Sequence, residues 1–237
     1  MYCFLVDCFA ITASFRVPET HTFHQTLPLP PLTSLVGIMG AAKGLNYEDA
    51  LFFSKENEIS FGVKGTSQGK GKDLWKIRKV TKNNDFKKDI ILREFLLNLE
   101  MTIALASYKK DVVEELRDCF KNPCYALSAG PNDNLLKISK VGNVLESSVS
   151  RSKQFQNTIL PGNSSYDSKI SLENIPISQS ISAPEQFLLP VDYNFARGRR
   201  KVCKKEHFTF IKTPVEVHEP IDAVFTDRGS IPLLSLG

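Results

Sequence analysis

Thr33 and Ser34 follow the run Leu27-Pro28-Leu29-Pro30-Pro31 and enter a stretch where Leu32, Leu35, Val36, Met39 and Ala42 recur at helical spacing. Proline forbids helix before that point and presets the first turn after it. The two hydroxyls are therefore predicted to lie in a helical first turn, among backbone N–H groups without intrahelical partners, where an anion such as a phosphate is favoured. Gly37 and Gly40, three apart, predict a close approach of the backbone to a strand or a ligand. Positive charge that could reinforce such a site is concentrated in two stretches. Residues 64–89 hold nine Lys/Arg, among them Lys64, Lys70, Lys72, Lys76, Arg78 and Lys79, against three Asp, a balance of +6. Residues 197–205 hold Arg197, Arg199, Arg200, Lys201, Lys204 and Lys205 with no acid, another +6. The whole chain carries +4, so the remainder is acidic at −8. A single basic cluster reads most simply as a solvated loop. Two of them beside a phosphate-ready helix predict a localised nucleic-acid site.

Other residues carry weaker signals, each with two readings. Arg16, just before Pro18, suits bidentate contact with a phosphate or an ion pair with Glu19. Trp75, the sole tryptophan, sits inside the first basic stretch. It either packs the base of that segment or stacks on a nucleobase or a neighbouring subunit. His21 and His24 could act as an acid–base pair on an RNA 2′-hydroxyl, or serve as surface, hinge or phosphate-contact residues. The chain has no P-loop, HExxH, GxSxG or paired-acid metal signature, so no catalytic residue, metal or cofactor is expected. Its five cysteines form no C-x-x-C pair and are odd in number, which predicts buried free thiols in a reducing cytoplasm.

The elements that must position these residues follow from periodicity. With 237 residues and 42% apolar content, the chain can bury a substantial core. No apolar run is long enough to span a bilayer. Residues 2–12 are apolar on both alternating faces and interrupted by Asp7, which predicts a strand covered on both sides rather than a signal peptide. A helix over 32–43 ending near Gly44 follows, then a strand at Glu58–Val63 and another at Leu99–Ser107. Asp111 and Glu114 resemble a capping box opening a helix with Val112, Val113, Leu116 and Phe120 on one face, stopped by Asn122-Pro123. Tyr125–Leu127 and Leu135–Ile138, on either side of a Gly-Pro-Asn turn, complete the last strand region. This β-α-β-β-α-β order predicts an α+β, ferredoxin-like (RRM-like) domain over residues 1–141. Between its second and third strands, Trp75–Val80 and Ile91–Leu97 can pair, making an inserted basic hairpin at about 64–97. Serine dominates residues 143–184, predicting a linker or surface excursion that includes short strands. Phe187–Tyr193, Val202–Ile211 and Val215–Phe225 read as strands, so residues 142–237 combine the Ser-rich excursion with a smaller β-rich C-terminal part.

The block from Ala13 to Gly44, with Phe15-Arg16-Val17-Pro18, a gap, and Pro30-Pro31-Leu32-Thr33-Ser34-Leu35-Val36-Gly37, resembles the signature of the fifth CRISPR-associated (Cas) family. That family is the Cascade subunit of type I systems, within the RAMP superfamily, that holds the 5′ handle of the guide RNA (crRNA). The resemblance implies a non-catalytic, cytoplasmic subunit of a ribonucleoprotein in antiviral defence, with no cofactor and no membrane. Such a subunit caps the handle, kinks the RNA with a hairpin "thumb", and starts the filament of Cascade backbone subunits. It also seats the Cascade large subunit, and so meets target DNA indirectly. Some relatives cut precursor crRNA without a metal, but their Tyr/Lys/His set has no residue-by-residue counterpart here. In the family the turn matching Ser128–Asn134 usually carries an arginine where this chain has Pro131. On its own terms that segment is a plain turn between strands.

Overall fold

Phe4, Val6, Cys8 and Ala10 alternate along the chain, and a period of two sends them to one side of a strand. In the computed structural model, which describes residues 1–20, 23–80, 86–146, 149–164, 168–170, 181–196 and 199–236, all four are buried on one face of β1 (Tyr2–Ala13). The opposite face is covered only in part: Cys3 is buried, whereas Ile11 is 68% exposed. A short β2 (Phe23–His24) precedes α1 (Leu32–Lys43), which starts after an extended Pro31 and ends at Gly44 with φ 85°. Only glycine enters that left-handed region without steric cost. A second helix not anticipated from periodicity, α2 (Tyr47–Glu56), follows at once. The Asn46 side chain caps it by accepting the Asp49 N–H, and Glu48 and Asp49 add favourable charge to its first turn.

Three strands come next: β3 (Ser60–Thr66), β4 (Gly69–Val80) and the 22-residue β5 (Phe86–Ser107). Helix α3 (Lys110–Lys121) buries Val112, Val113, Leu116 and Phe120, with the Phe120 ring edge-on to Phe4 at 5.9 Å. Its N-cap is Lys109, and Asp111 does not form the expected capping box. The Lys109 N–H donates instead to the Ser107 hydroxyl. Tyr125–Leu127 is not a strand. The Cys124 and Tyr125 N–H groups donate to the Ala42 and Ala41 carbonyls, satisfying the C-terminal end of α1 in place of a sheet partner. The strand predicted around Leu135 lies slightly later, as β6 (Lys137–Val141).

The Ser-rich segment contains β7 (Leu145–Glu146), β8 (Val149–Phe155), β9 (Thr158–Pro161) and β10 (Ser168–Ile170); residues 171–180 within it lie outside the described set. Then follow β11 (Glu185–Ala196), β12 (Arg199–Ile211), β13 (Val215–Thr226), β14 (Gly229–Pro232) and β15 (Leu234–Ser235). The described strands make two sheets. The larger runs β11-β12-β9-β3-β5-β1-β6, with β2 and β4 on β5, β7 on β1 and β15 on β3. All of its pairs are antiparallel except β2 with β5. The smaller sheet joins β10, β13 and β14, with β8 on β13.

One main core lies between the helices and the large sheet, where Leu35, Val36 and Met39 of α1 meet Phe61, Val63, Ile103 and Leu105. On the sheet's far side, Cys3, Ala104 and Ala106 pack against Val224, Ile231 and Leu233. No described helix is long and apolar enough to cross a membrane. Of the five free cysteines, Cys3 and Cys8 are buried, but Cys124 and Cys203 are exposed, contrary to the expectation that all would be interior. Burial pushes the Cys8 thiol up to about 12.

The close approach anticipated for the helix glycines is to a helix, not to a strand or ligand. A Cβ on Gly40 would stand 2.6 Å from Ala50 Cβ, whereas one on Gly37 would meet only the Tyr47 ring at 3.9 Å. Helix propensity alone would favour Gly40→Ala by about 1 kcal/mol. We expect this substitution to destabilise instead, by about 1–2 kcal/mol. In the Ala50→Gly background the same change should become neutral or stabilising. A double-mutant cycle from urea melts, showing favourable coupling between the two changes, checks it.

Candidate nucleic-acid interface

The first basic stretch folds as a hairpin, though not in the anticipated register: Trp75–Val80 pairs with Phe86–Ile91, and Ile91–Leu97 with Gly69–Trp75. β4 pairs with β5 from Gly69↔Leu97 to Val80↔Phe86, with Trp75 opposite Ile91. The hairpin continues a core pairing and is not a separate unit, because β3 lies on the same β5 strand in the same register, from Ser60↔Ala106 to Thr66↔Glu100. Its base belongs to the interior: Ile91, Arg93, Glu94 and Leu96 are all buried.

Alternation divides the hairpin into two faces. On one, Lys70, Lys72, Leu74, Lys76 and Arg78 stand opposite Leu96, Glu94, Leu92, Ile90 and Lys88. Leu74 is 71% exposed and Ile90 58%, so cations and bare aliphatic surface are interleaved. Lys70 and Lys72 flank the buried Glu94 carboxylate at 3.9 and 4.0 Å, and Lys72 lies over the Phe23 ring at 5.3 Å. Lys76, Arg78 and Lys88, nearer the tip, are exposed. Lys79 belongs to the other face; its side chain and Lys82 lie outside the described set.

That other face is built around Arg93, a residue not singled out in the sequence. Its guanidinium donates two hydrogen bonds to Asp73, at 3.1 and 2.7 Å, and two longer ones to Asp133, at 3.5 and 3.2 Å. Trp75 stacks on it at 4.7 Å, and His24 meets Trp75 edge-on at 6.4 Å. The Asp73 hydrogen bonds, with those to Asp133, hold the Arg93 pKa well above its ordinary value against the opposing effect of burial. Trp75 therefore packs the hairpin's base, and at 38% exposure still offers an edge to a partner. His24 is buried on β2, and His21 lies outside the described residues. The Ser128–Asn134 turn contributes Asp133 to this clamp. The sequence signal for it was the alternation itself, which puts Asp73 and Trp75 on one face, although nothing local points to Arg93 or Asp133.

The remaining candidates are distributed. Arg16 is exposed, bridges Thr26 through its backbone, and donates to the Thr20 carbonyl at 3.0 Å. Its anticipated partner Glu19 instead pairs with Lys205 at 3.3 Å. Lys70 also donates to Thr26, so Arg16 sits beside the hairpin's base. Thr33 and Ser34 occupy the first turn of α1, half-buried, and none of the described hydrogen bonds or ion pairs joins them to the hairpin. The Ser34 N–H is already taken by the Pro31 carbonyl at 2.8 Å. Lys64 of β3 lines a different cleft, between the two sheets. Arg199 and Arg200 open β12 as a second basic patch. Arg200 lies over the rings of Tyr47 and Tyr193 at 5.4 and 5.3 Å, which docks it on α2. Arg197 lies outside the described residues.

Residues 3–187 match the family described as CRISPR-associated protein (Cas5). No curated protein matches the chain. Among the solved structures that share its fold are these two. One is described as a CRISPR RNA-guided surveillance complex: a chain of it superposes with a TM-score of 0.56 at 14% identity, covering 92% of this chain and 91% of that one. The other is a CRISPR protein from Archaeoglobus fulgidus, with a TM-score of 0.55 at 12% identity, covering 99% of this chain and 100% of that one.

The clamp predicts that the hairpin's attachment fails when Arg93 is removed. Arg93→Met leaves two carboxylates facing each other and should cost about 2–3 kcal/mol, less than a fully buried pair because Asp73 and Asp133 are partly exposed. Asp133→Asn should cost under about 1 kcal/mol. Urea melts followed by Trp75 emission check both, and Arg93→Met should also shift the native emission to the red.

Proposed function

The chain belongs to the CRISPR-associated Cas5 family, and we propose that it is a non-catalytic subunit of a type I surveillance complex (Cascade) that binds and caps the 5′ handle of the crRNA. The observation that carries this reading is the exposed hairpin face on which Lys72, Lys76, Arg78 and Lys88 alternate with Leu74, Ile90 and Leu92. A purely electrostatic contact needs no bare leucine, and a purely apolar one would not space cations at every second position. The mixture suits an RNA backbone held against a neighbouring protein surface, phosphates on the cations and aliphatic groups on the partner. The strand order β6-β1-β5-β3, with α1 and α3 packed on one face, supports a ferredoxin-like (RRM-like) domain carrying this hairpin as its thumb. In this reading the hairpin lies at the boundary between the RNA handle and the first backbone subunit. The large subunit docks elsewhere on the same chain, which meets target DNA only through it. His24, buried with its ring edge-on to Trp75, suits a structural role, while His21 lies outside the described residues.

Two outcomes follow from this reading. The triple variant Lys72→Gln, Lys76→Gln, Arg78→Gln should keep its fold, lose affinity for handle RNA, and flatten the log–log salt dependence by roughly 2, at about 0.7 per lost phosphate contact. Co-expressed with backbone subunits and a repeat array, it should stall before the first backbone subunit. Normal assembly with an unchanged salt slope would show that the hairpin face meets neither RNA nor its neighbour. Labelled repeat RNA incubated with the purified protein, with or without chelator, should stay intact. A specific cut that disappears in His24→Ala would replace the binding role with an endoribonuclease.

A further inference from the structure

The small sheet covers part of the large sheet's far face and leaves Ile11 exposed. Where Cys3, Ala104 and Ala106 end, the same strands continue into an open cleft of about 400 Å³. The register sets Asp7 of β1 and Lys64 of β3 on either side of Thr102 of β5, all three in its wall. Lys64 is poorly suited to that place on its own. It is half-buried, and desolvation lowers its pKa with no carboxylate acting against the shift. The Asp7 carboxylate is already engaged by the Thr102 hydroxyl at 2.6 Å. The β13–β14 turn closes over Lys64: a Cβ on Gly229 would lie 3.1 Å from the lysine Nζ, so glycine leaves the ammonium its room. That turn brings Arg228 into the cleft, and Lys140 enters it from β6. None of these three cations has an ion pair among the described residues, although Asp7, Glu100 and Asp227 in the same lining balance them in formal charge.

The rest of the lining is different in kind. Glu100 and Asp227 contribute carboxylates. Asn157 contributes an amide, from a backbone held at φ 53° while its carbonyl accepts the Gly65 N–H at 2.8 Å. A simple anion would use the cations and be repelled by the carboxylates. A molecule with a phosphate at one end and hydroxyls at the other would use both. We propose that this cleft binds one ribonucleotide unit of a single-stranded RNA, its phosphate on Lys64 and Arg228 and its ribose 2′-hydroxyl donating to Asp227 or Glu100. The cleft has the size of a small-ligand site. Phe9 and the exposed Ile11 extend the same strand face beyond Asp7 and offer an apolar platform for the next base. The proposal rests on the RNA-binding reading of the chain but on none of the hairpin residues.

The test uses the full chain and two fluorescent probes, octauridylate and its deoxyribose counterpart, read by anisotropy. Lys64→Met and Arg228→Gln should each weaken octauridylate binding about five- to tenfold, with a salt slope lower by about 0.7 per lost phosphate contact. Wild type should prefer the ribo form, and Asp227→Asn together with Glu100→Gln should abolish that preference. Arg228 lies on an exposed turn, so its variant carries the test if Lys64→Met fails to fold. Both cleft variants within twofold of wild type, with the hairpin triple variant losing binding, would overturn the cleft and leave the hairpin reading standing. Loss confined to the cleft variants would do the reverse. Equal affinity of wild type for the two probes would overturn the ribose assignment. Failure of the wild-type chain to bind octauridylate would overturn both readings.

Discussion

The pairing register along β5 is the constraint on which the rest of this molecule depends. One strand of 22 residues carries β1 on one side and β3 followed by β4 on the other, with no register shift between the core pairing and the hairpin. Because side chains alternate with a period of two, a slip of a single residue would turn every hairpin cation to the opposite face. The buried positions forbid that slip. Ile103 and Leu105 must face the helices, and Ala104 and Ala106 must face the second sheet, where little room exists for anything larger. The aim of Lys72 and Lys76, opposite Glu94 and Ile90, is thus set 9 to 16 residues away along β5, by packing in the core rather than by any interaction at the tip.

A two-stranded ribbon projecting into water is at best marginally stable by itself. This one is braced at its base by Arg93, whose guanidinium ties β4 to the Ser128–Asn134 turn through Asp73 and Asp133. The short β2, parallel to β5 at Leu92 and Arg93, adds Phe23 to one face and His24 to the other. The described contacts that brace it lie at the base, whereas Lys76, Arg78 and Lys88 beyond them are exposed.

Much of this could be read from residue order, and what could not has a common cause. The α1 boundaries were legible because proline and glycine act locally: Pro31 cannot extend a helix backwards and Gly44 ends one. The hairpin's existence was legible because Trp75–Val80 and Ile91–Leu97 alternate, but its register was not: Ile91–Leu97 pairs with Gly69–Trp75, and Trp75–Val80 with Phe86–Ile91. Helix α2 was missed although Asn46 and Asp49 signal its start, because it is short and its apolar stripe, Ala50 and Leu51, is sparse. The strand read at Tyr125–Leu127 failed because the Tyr125 N–H, with that of Cys124 before it, serves the end of α1, a demand created only by the tertiary fold, and among the described residues only the Leu127 carbonyl meets the facing segment, by accepting the Leu136 N–H. The pairings of β8 to β10 escaped for the same reason, since their partners lie dozens of residues later in β12 and β13. At the candidate site, charge and aromatic content were visible, but the Arg93 clamp and the Lys64 cleft join residues from separate elements.

Strand β4 has β5 on one side and no described strand on the other. An unpaired edge of twelve residues is a template for adding a strand from another molecule, the contact by which sheets aggregate. Lysines spaced along such an edge oppose that contact, because two copies brought edge to edge would align like charges in a drying interface. The same residues proposed to hold a nucleic-acid backbone would therefore also discourage such self-association. In that reading their number and spacing would answer to two demands, colloidal as well as functional. A relative without an RNA contact would still need charge, proline or a covering loop along this edge.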